Sequence, residues 1–396
     1  MKKLVLFGAG NIGRSFIGQL FSKGAYEVVF IDIDTRILDA LNKNGGYDVV
    51  IKENNADDEI IHVENIRAVD ARDTDRVSQE IETASLIATA VGKGALGAVS
   101  AAIADGISRR INLHLPPIDI LLAENVRGVA SWMKNELTTI LGKGVVISDY
   151  VGFVETSIGK MVPIMSDRDR GEDPVQVFAE RYNTLIVDAH GFKGTMPRIE
   201  GIEGVPNITA YVDRKLFIHN LGHASAAYVG NRMSPDSTYL YQVLADADVF
   251  RITKSAMLES ADALAAEYPA EFRSEDLYKH VEDLLIRFKN RALKDTVFRV
   301  GRDVPRKLSR EDRLIGAMLL AAEHRLPFGS IAQAAACAFS FHAVDERGLP
   351  YPADADLAEK FTRGKLRPLL RDICGLSEIR DIDRAVISHI ETALEV

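Results

Sequence analysis

The chain has 396 residues, 47% apolar and 27% charged, a length that fits two or three domains and a balance that excludes a disordered, collagen-like or low-complexity polymer. Lys and Arg number 48 against 57 Asp and Glu, for a net charge of −9, and no basic block is dense enough to track a phosphodiester backbone, so no nucleic-acid partner is expected.

The first predicted element is an apolar strand from Lys3 to Phe7. Gly8-Ala9-Gly10-Asn11-Ile12-Gly13 follows, then a helical pattern to about Lys23 and a second strand from Glu27 to Ile31. Strand-like runs recur at Ser85–Val91, Ile118–Ala123 and Val145–Ile147, separated by helical stretches such as Ala95–Ile103. This alternation predicts an α/β domain of the Rossmann type, a doubly wound parallel sheet. Extended runs at Val151–Ile164 and Thr184–Val187 follow, and a Gly/Pro-rich passage, Gly191–Pro206, ends the strand signals. Beyond it the period is helical: Asp213–Val229, Ala256–Glu267, Ser274–Phe288, Arg313–Glu323, Ile331–Phe339 and Glu378–Leu394. The expected organisation is a dinucleotide-binding domain over residues 1–204 and an all-α C-terminal substrate domain over 205–396, with the substrate in a cleft between them.

Two cysteines, Cys337 and Cys374, cannot build a disulfide framework, and no Cys/His cluster has zinc-site spacing, so no metal and a reducing, cytoplasmic setting are expected. The apolar run Ile315–Ala322 is far below the roughly 18 residues of a membrane span, and the start MKKLVLFGAG turns into glycine too early for a signal peptide. No membrane partner is expected.

Gly8, Gly10 and Gly13 match the dinucleotide fingerprint in its required setting, between a strand and a helix. The first glycine permits the turn, the second lets backbone approach a pyrophosphate, and the third allows helix and strand to pack closely; the helix N-terminus adds oriented N–H groups. Asp32 closes the second strand where a carboxylate can accept bonds from the adenosine ribose hydroxyls. It would repel a 2′-phosphate, and no Arg or Lys precedes Arg36, so NAD rather than NADP is the expected cofactor. Arg14 reads either as a phosphate contact or as a solvated first-turn arginine.

The chemistry has to come from the helical half. At about 100° per residue, Lys215, His219, His223 and Asn220 fall on a face opposite Phe217, Ile218, Leu221, Tyr228 and Val229, with Gly222, Ala226 and Ala227 leaving room for a ligand. Hydride removal from a secondary alcohol needs a base for the hydroxyl proton and donors for the developing oxyanion. Lysine can be that base once burial beside a positively charged nicotinamide lowers its pKa from about 10.4 to roughly 7–8. Asn220 would hold the oxygen and His223 would orient substrate or lysine. A snorkelling lysine with hydrogen-bonded core histidines fits the same spacing equally well.

The run Arg214-Lys215-Leu216-Phe217 through Asn220 to Gly222-His223-Ala224, followed by Ala227-Tyr228, resembles the signature of the polyol-specific long-chain dehydrogenases/reductases. The likeness extends to Phe7–Arg14, Thr89-Ala90-Val91-Gly92, Glu124-Asn125, Val151-Gly152-Phe153-Val154, Phe192-Lys193-Gly194, Arg299-Val300-Gly301-Arg302 and Arg306-Lys307-Leu308-Ser309. The resemblance implies a zinc-independent, NAD-dependent enzyme interconverting a sugar alcohol and its ketose, or their phosphates, as monomer or homodimer. It implies Lys215 as general base, Asn220 and Asn125 as an oxyanion hole, His223 positioning the reacting oxygen, and Val91 and Gly92 beside the cofactor loop. For the nearest members it implies mannitol 1-phosphate plus NAD giving fructose 6-phosphate plus NADH. Arg127 stands two residues past Asn125, where phosphate-type members carry arginine three on. Gly159-Lys160 replaces an Asp-Arg pair of the family pattern, Arg291 replaces a proline, and His219 an apolar residue. A substrate phosphate needs cations, and Arg127 with Arg299, Arg302, Arg306 and Lys307 are the candidates; for the last four, a solvated loop balanced by Asp295 and Asp303 fits as well.

Tyr211 and Lys215 have the spacing of short-chain dehydrogenases, but the glycine spacing is wrong for them. A β-hydroxyacid dehydrogenase keeps its lysine and asparagine closer together than Lys215 and Asn220. An unphosphorylated polyol or a uronate as substrate, and a non-catalytic NAD sensor, are the alternatives.

Overall fold

The computed structural model describes residues 1–54, 57–142, 144–163, 165, 173–362 and 364–395. The chain divides into two compact units, Met1–Val212 and Asp213–Val396.

In the first unit, β1 (Lys2–Phe7) sends Leu4 and Leu6 into one core layer and Val5 and Phe7 into the other. Buried on both faces, such a strand reads as a continuous apolar run rather than an alternating one. A π-helical turn, Gly13–Gly18, leads into α1 (Gln19–Lys23), and β2 (Tyr26–Asp32) pairs parallel to β1. The Asp34 carboxylate caps α2 (Thr35–Asn44) by accepting the Arg36 amide. β3 (Gly46–Ile51) and β4 (Glu59–Glu64) form an antiparallel pair. Next come β5 (Ile66–Asp70), α3 (Thr74–Glu82), β6 (Leu86–Thr89), α4 (Leu96–Asn112), β7 (Ile118–Leu122), α5 (Val129–Leu141), β8 (Val151–Ile158), β9 (Val177–Ala179), β10 (Leu185–Asp188) and β11 (Ile202–Val205).

The main sheet has the order β11-β10-β8-β7-β6-β1-β2-β5, parallel throughout except where β10 meets β8. Winding reverses between β1 and β6, and the crevice outside the carboxyl ends of those two strands is where doubly wound sheets bind ligands. Two sequence expectations fail here. Val145–Ile147 is not a strand; the chain enters a 3₁₀ turn at Ile147–Asp149 and pairs only from Val151. The passage Gly191–Pro206 contains β11, whose two central residues, Glu203 and Gly204, are exposed and break the apolar pattern. A second sheet, β4-β3-β9, was not foreseen; its outer strand β4 buries Val63 alone, too little for a clear strand signal. Of the expected extended run Val151–Ile164, the strand covers Val151–Ile158, and Ile164 lies outside the described residues.

The helix α6 (Ile208–Arg214) spans the division between the units and opens into a second π-helical turn, Lys215–Asn220, then α7 (Leu221–Met233). There follow α8 (Leu240–Val243), α9 (Ala247–Glu267), α10 (Ser274–Phe288), α11 (Val297–Gly301), α12 (Val304–Lys307), α13 (Ile315–Glu323), α14 (Gly329–Ala338), α15 (Pro352–Thr362), α16 (Leu366–Asp372) and α17 (Asp381–Leu394), with no strand among the described residues of this unit. From Leu221 to Asn231 every residue except His223 is buried, so α7 is a central helix rather than an amphipathic one. The room expected at Gly222, Ala226 and Ala227 is filled by protein: both alanines are fully buried, and a Cβ on Gly222 would lie 2.4 Å from the Met257 sulfur of α9.

Candidate active site

In the first unit the glycine turn divides its labour by contact. Gly8 has φ +101°, and a Cβ there would lie 2.4 Å from the Ala90 carbonyl oxygen; one on Gly13 would lie 2.0 Å from the Gly8 oxygen. Neither position tolerates a side chain. A Cβ on Gly10 would meet nothing within 4 Å, which leaves that side of its backbone open to a ligand. The Ala9 amide donates to Asp32 Oδ2 at 2.6 Å, while Asp32 Oδ1 accepts the Ile33 and Asp34 amides at 2.7 and 3.1 Å, so the carboxylate ties the glycine turn to the end of β2. Asn11 and Ile12 lead from this turn into the π turn. Arg36 pairs with Asp34 instead of Asp32. These features fit a dinucleotide: two glycines required by packing, one open, and a carboxylate at the strand end.

Arg14 is not the solvated first-turn arginine that was one reading of it. It is buried, and its guanidinium donates to the Pro174 and Val175 carbonyls at 3.2 and 2.6 Å. The reason is that the whole π turn Gly13–Gly18 lies inside the core.

At the ends of β6 and β7, the Val91 and Gly92 amides donate to the two oxygens of buried Glu124 at 3.0 and 2.8 Å. Asn125 and Arg127 follow on the exposed loop. That loop is tied at its far side by Glu155 of β8, which accepts the Gly128 amide at 2.9 Å. Burial pushes the Glu155 carboxyl up, against the opposing pull of the Gly128 and Ala130 amides. Neither glutamate was singled out from the sequence, although Glu124 stood beside Asn125 in a quoted motif.

In the second unit the decisive local feature is the π turn. Its i→i+5 hydrogen bonding widens the turn, so the angle between Lys215 and Asn220 is smaller than the roughly 140° of an α-helical wheel. The Phe217 carbonyl within it accepts from the Ser260 hydroxyl of α9 at 2.6 Å. Lys215 is partly exposed as a residue, but burial of the ammonium, helped by the Arg313 guanidinium, pushes its pKa down to about 8. His219 lies beside His223 as the shared face predicts, but buried, its ring edge-on to His223 and Phe288. Burial first, then His223, Arg287, Lys215 and His280, hold it far below the usual imidazole range. His280 is likewise pushed down to about 3 by burial and by Arg214 and Arg287.

His223 stacks on Phe288 with ring centroids 4.6 Å apart and planes within 13°. Its Nε2 lies 3.1 Å from Asp295 Oδ2, and Asp295 also pairs with Arg299. Burial pushes the Asp295 carboxyl up, but His223 and Arg299 outweigh it and hold the group below its ordinary value. The basic group is therefore largely engaged. Arg299 holds Asp295, Arg306 pairs with Asp303 and Asp312, and buried Lys307 donates to the Val300 and Arg302 carbonyls. Burial, with Arg313 and Arg306, pushes Lys307 down to about 7. Arg302 is exposed over the Phe298 ring and has no carboxylate partner among the described residues. Among those residues no group of His, Cys, Asp and Glu could hold a metal, and no helix is long and apolar enough to cross a membrane.

A glycine turn at the winding reversal of a Rossmann sheet, followed by an all-helical unit carrying a lysine of lowered pKa, defines the dehydrogenase class. The mannitol dehydrogenase Rossmann domain matches residues 2–201 and the mannitol dehydrogenase C-terminal domain residues 207–394. The chain belongs to the mannitol dehydrogenase family. Among curated relatives, mannitol-1-phosphate 5-dehydrogenase of Brevibacillus brevis is 33% identical over 356 residues, 89% of this chain and 88% of that one. The enzyme of the same name from Bacillus licheniformis is 32% identical over 97% of this chain and 98% of its own. Among solved structures, Pseudomonas fluorescens mannitol 2-dehydrogenase in ternary complex with NAD and D-mannitol superposes with a TM-score of 0.77 at 14% identity, over 100% of this chain and 91% of that one. A substrate-free D-sorbitol dehydrogenase superposes with a TM-score of 0.80 at 14% identity, covering 99% and 94%. These two likenesses are likenesses of fold.

Proposed function

We propose that this chain is an NAD-dependent dehydrogenase of a polyol phosphate, interconverting mannitol 1-phosphate and fructose 6-phosphate, with Lys215 as general base. What supports the mechanism is the π turn that carries both Lys215, its pKa lowered to about 8, and Asn220, with His223 in the first turn of the α7 helix that follows. The phosphate substrate rests on the relatives, which are named for it over nearly their full length.

Gly8, Gly10 and Gly13 would cradle the pyrophosphate of NAD, with Ala9, Asn11 and Ile12 lining the turn, Asp32 on the adenosine ribose, and Val91 and Gly92 along the adjoining edge. Bound there, NAD supplies the acceptor for the hydride leaving the carbinol carbon. Lys215 takes the hydroxyl proton as its neutral amine and afterwards releases it to solvent. Asn220 and Asn125 donate to the oxygen as negative charge builds on it, and His223 orients the substrate. Arg302, exposed over the Phe298 ring, is the cation proposed to take the phosphate, with Arg127 a second candidate. Arg299, Arg306 and Lys307 would have to give up present partners to join them. Both cysteines are buried and unbridged, in keeping with the reducing cytoplasm as the place of work.

The engaged state of those three cations favours a second reading, an unphosphorylated polyol as substrate. A panel of ketoses and ketose phosphates with NADH, followed by loss of its absorbance, separates the two. The proposal expects fructose 6-phosphate to be reduced with a kcat/KM at least a hundredfold above that for fructose. A preference for fructose refutes the phosphate.

A further inference from the structure

We infer that Asp295 is a positioning residue that selects the ring tautomer of His223, leaving Nδ1 of that histidine as a hydrogen-bond acceptor. This rests on the proposed role of His223 at the substrate, and it assigns work to a residue whose only reading from the sequence was as a counter-charge.

Three observations carry it. The carboxylate is fixed from two sides: Arg299 pairs with Oδ1, and the Asp295 backbone oxygen accepts the Leu240 amide at 2.8 Å, next to the Tyr239–Thr296 bridge. The imidazole plane is fixed by its stack on Phe288. Nε2 sits 3.1 Å from Oδ2, within reach of a hydrogen bond although its geometry is not yet that of one; catalytic hydrogen bonds are often loose before substrate binds. An ionised carboxylate only accepts, and a neutral imidazole carries a single N–H. The nitrogen facing Asp295 must then be the protonated one, and Nδ1 keeps its lone pair. A ring so arranged accepts from the polyol hydroxyl or from the Lys215 ammonium and cannot donate to a ketose carbonyl. Among the uncharged groups, donation to the oxyanion falls to the asparagines. The lowered pKa of Asp295 agrees, since it keeps the carboxylate ionised.

The test is nitrogen-15 NMR of the enzyme labelled at its nine histidines, with and without NADH and without substrate. The signal of His223 is identified by its loss in His223→Gln. The expected wild-type signature is Nε2–H with Nδ1 unprotonated. In Asp295→Asn, whose amide no longer demands a donor, the ring shifts to the other tautomer or to a mixture. There kcat/KM falls ten- to a hundredfold while NADH affinity holds. An Nδ1–H signature in the wild type overturns the inference even if Asp295→Asn does not fold, and so does an Asp295→Asn enzyme that keeps both tautomer and turnover. Because the spectrum needs no substrate, it stands apart from the polyol-phosphate reading, which fails separately if the wild-type enzyme does not reduce fructose 6-phosphate.

Discussion

Among the described residues the chain has two π-helical turns, one in each unit, and they serve opposite ends. Gly13–Gly18 is wholly buried, and what surrounds it offers backbone: an open glycine, a helix start, amides tied to carboxylates. Lys215–Asn220 offers side chains, with its central residues in the core and its first and last partly exposed. A site made of backbone depends on which residues are missing a side chain; a site made of side chains depends on the pitch that aims them.

That contrast can be broken most directly at Lys215. Lys215→Ala should lower kcat about 10³-fold or more, the range of a lost general base, with the NADH dissociation constant from fluorescence titration within twofold of wild type. Collapse of NADH binding would mean that the two turns do not divide the work as described.

Within the glycine turn, a pair of substitutions sharpens the same contrast. Gly8→Ala puts a methyl against the Ala90 oxygen at positive φ, so it should lower the melting temperature, costing ~1–3 kcal/mol from backbone strain, together with NADH affinity. Gly10→Ala meets nothing in the protein within 4 Å. It should leave the melting temperature alone while reducing NADH affinity at least tenfold. Equal thermal losses in the two variants would contradict the assignment of Gly10 to the ligand.

A smaller effect is expected at Ser260, whose hydroxyl serves the Phe217 carbonyl inside the second π turn. Ser260→Ala should cost about 0.5–1.5 kcal/mol in chemical denaturation, the range for one lost hydrogen bond, and lower kcat a few-fold by loosening the turn under Lys215. An unchanged kcat would show that the π geometry is not held from α9.

The sequence made the first unit's site legible because glycines, strand and Asp32 are local and in order, and the same was true of the alternation that winds the main sheet. It was less informative where tertiary packing decides. The α-helical wheel put His219 on an open face, but its ring is packed in the core against His223 and Phe288. Gly222 looked like room for a ligand because nothing in the sequence reveals that Met257 fills it. Arg14 could not be read, since its carbonyl partners lie about 160 residues away. Glu124 and Asp295 act through neighbours distant in the chain, which spacing alone does not show.

The pH dependence of kcat for oxidation of the polyol phosphate measures the acidity of residue 215 where it matters. The amine must be neutral to accept the proton, so the rate should climb as pH passes through about 8 and level off above it, with reduction of the ketose phosphate running the opposite way. An oxidation rate flat from pH 7 to 9 would contradict a lysine base of lowered pKa.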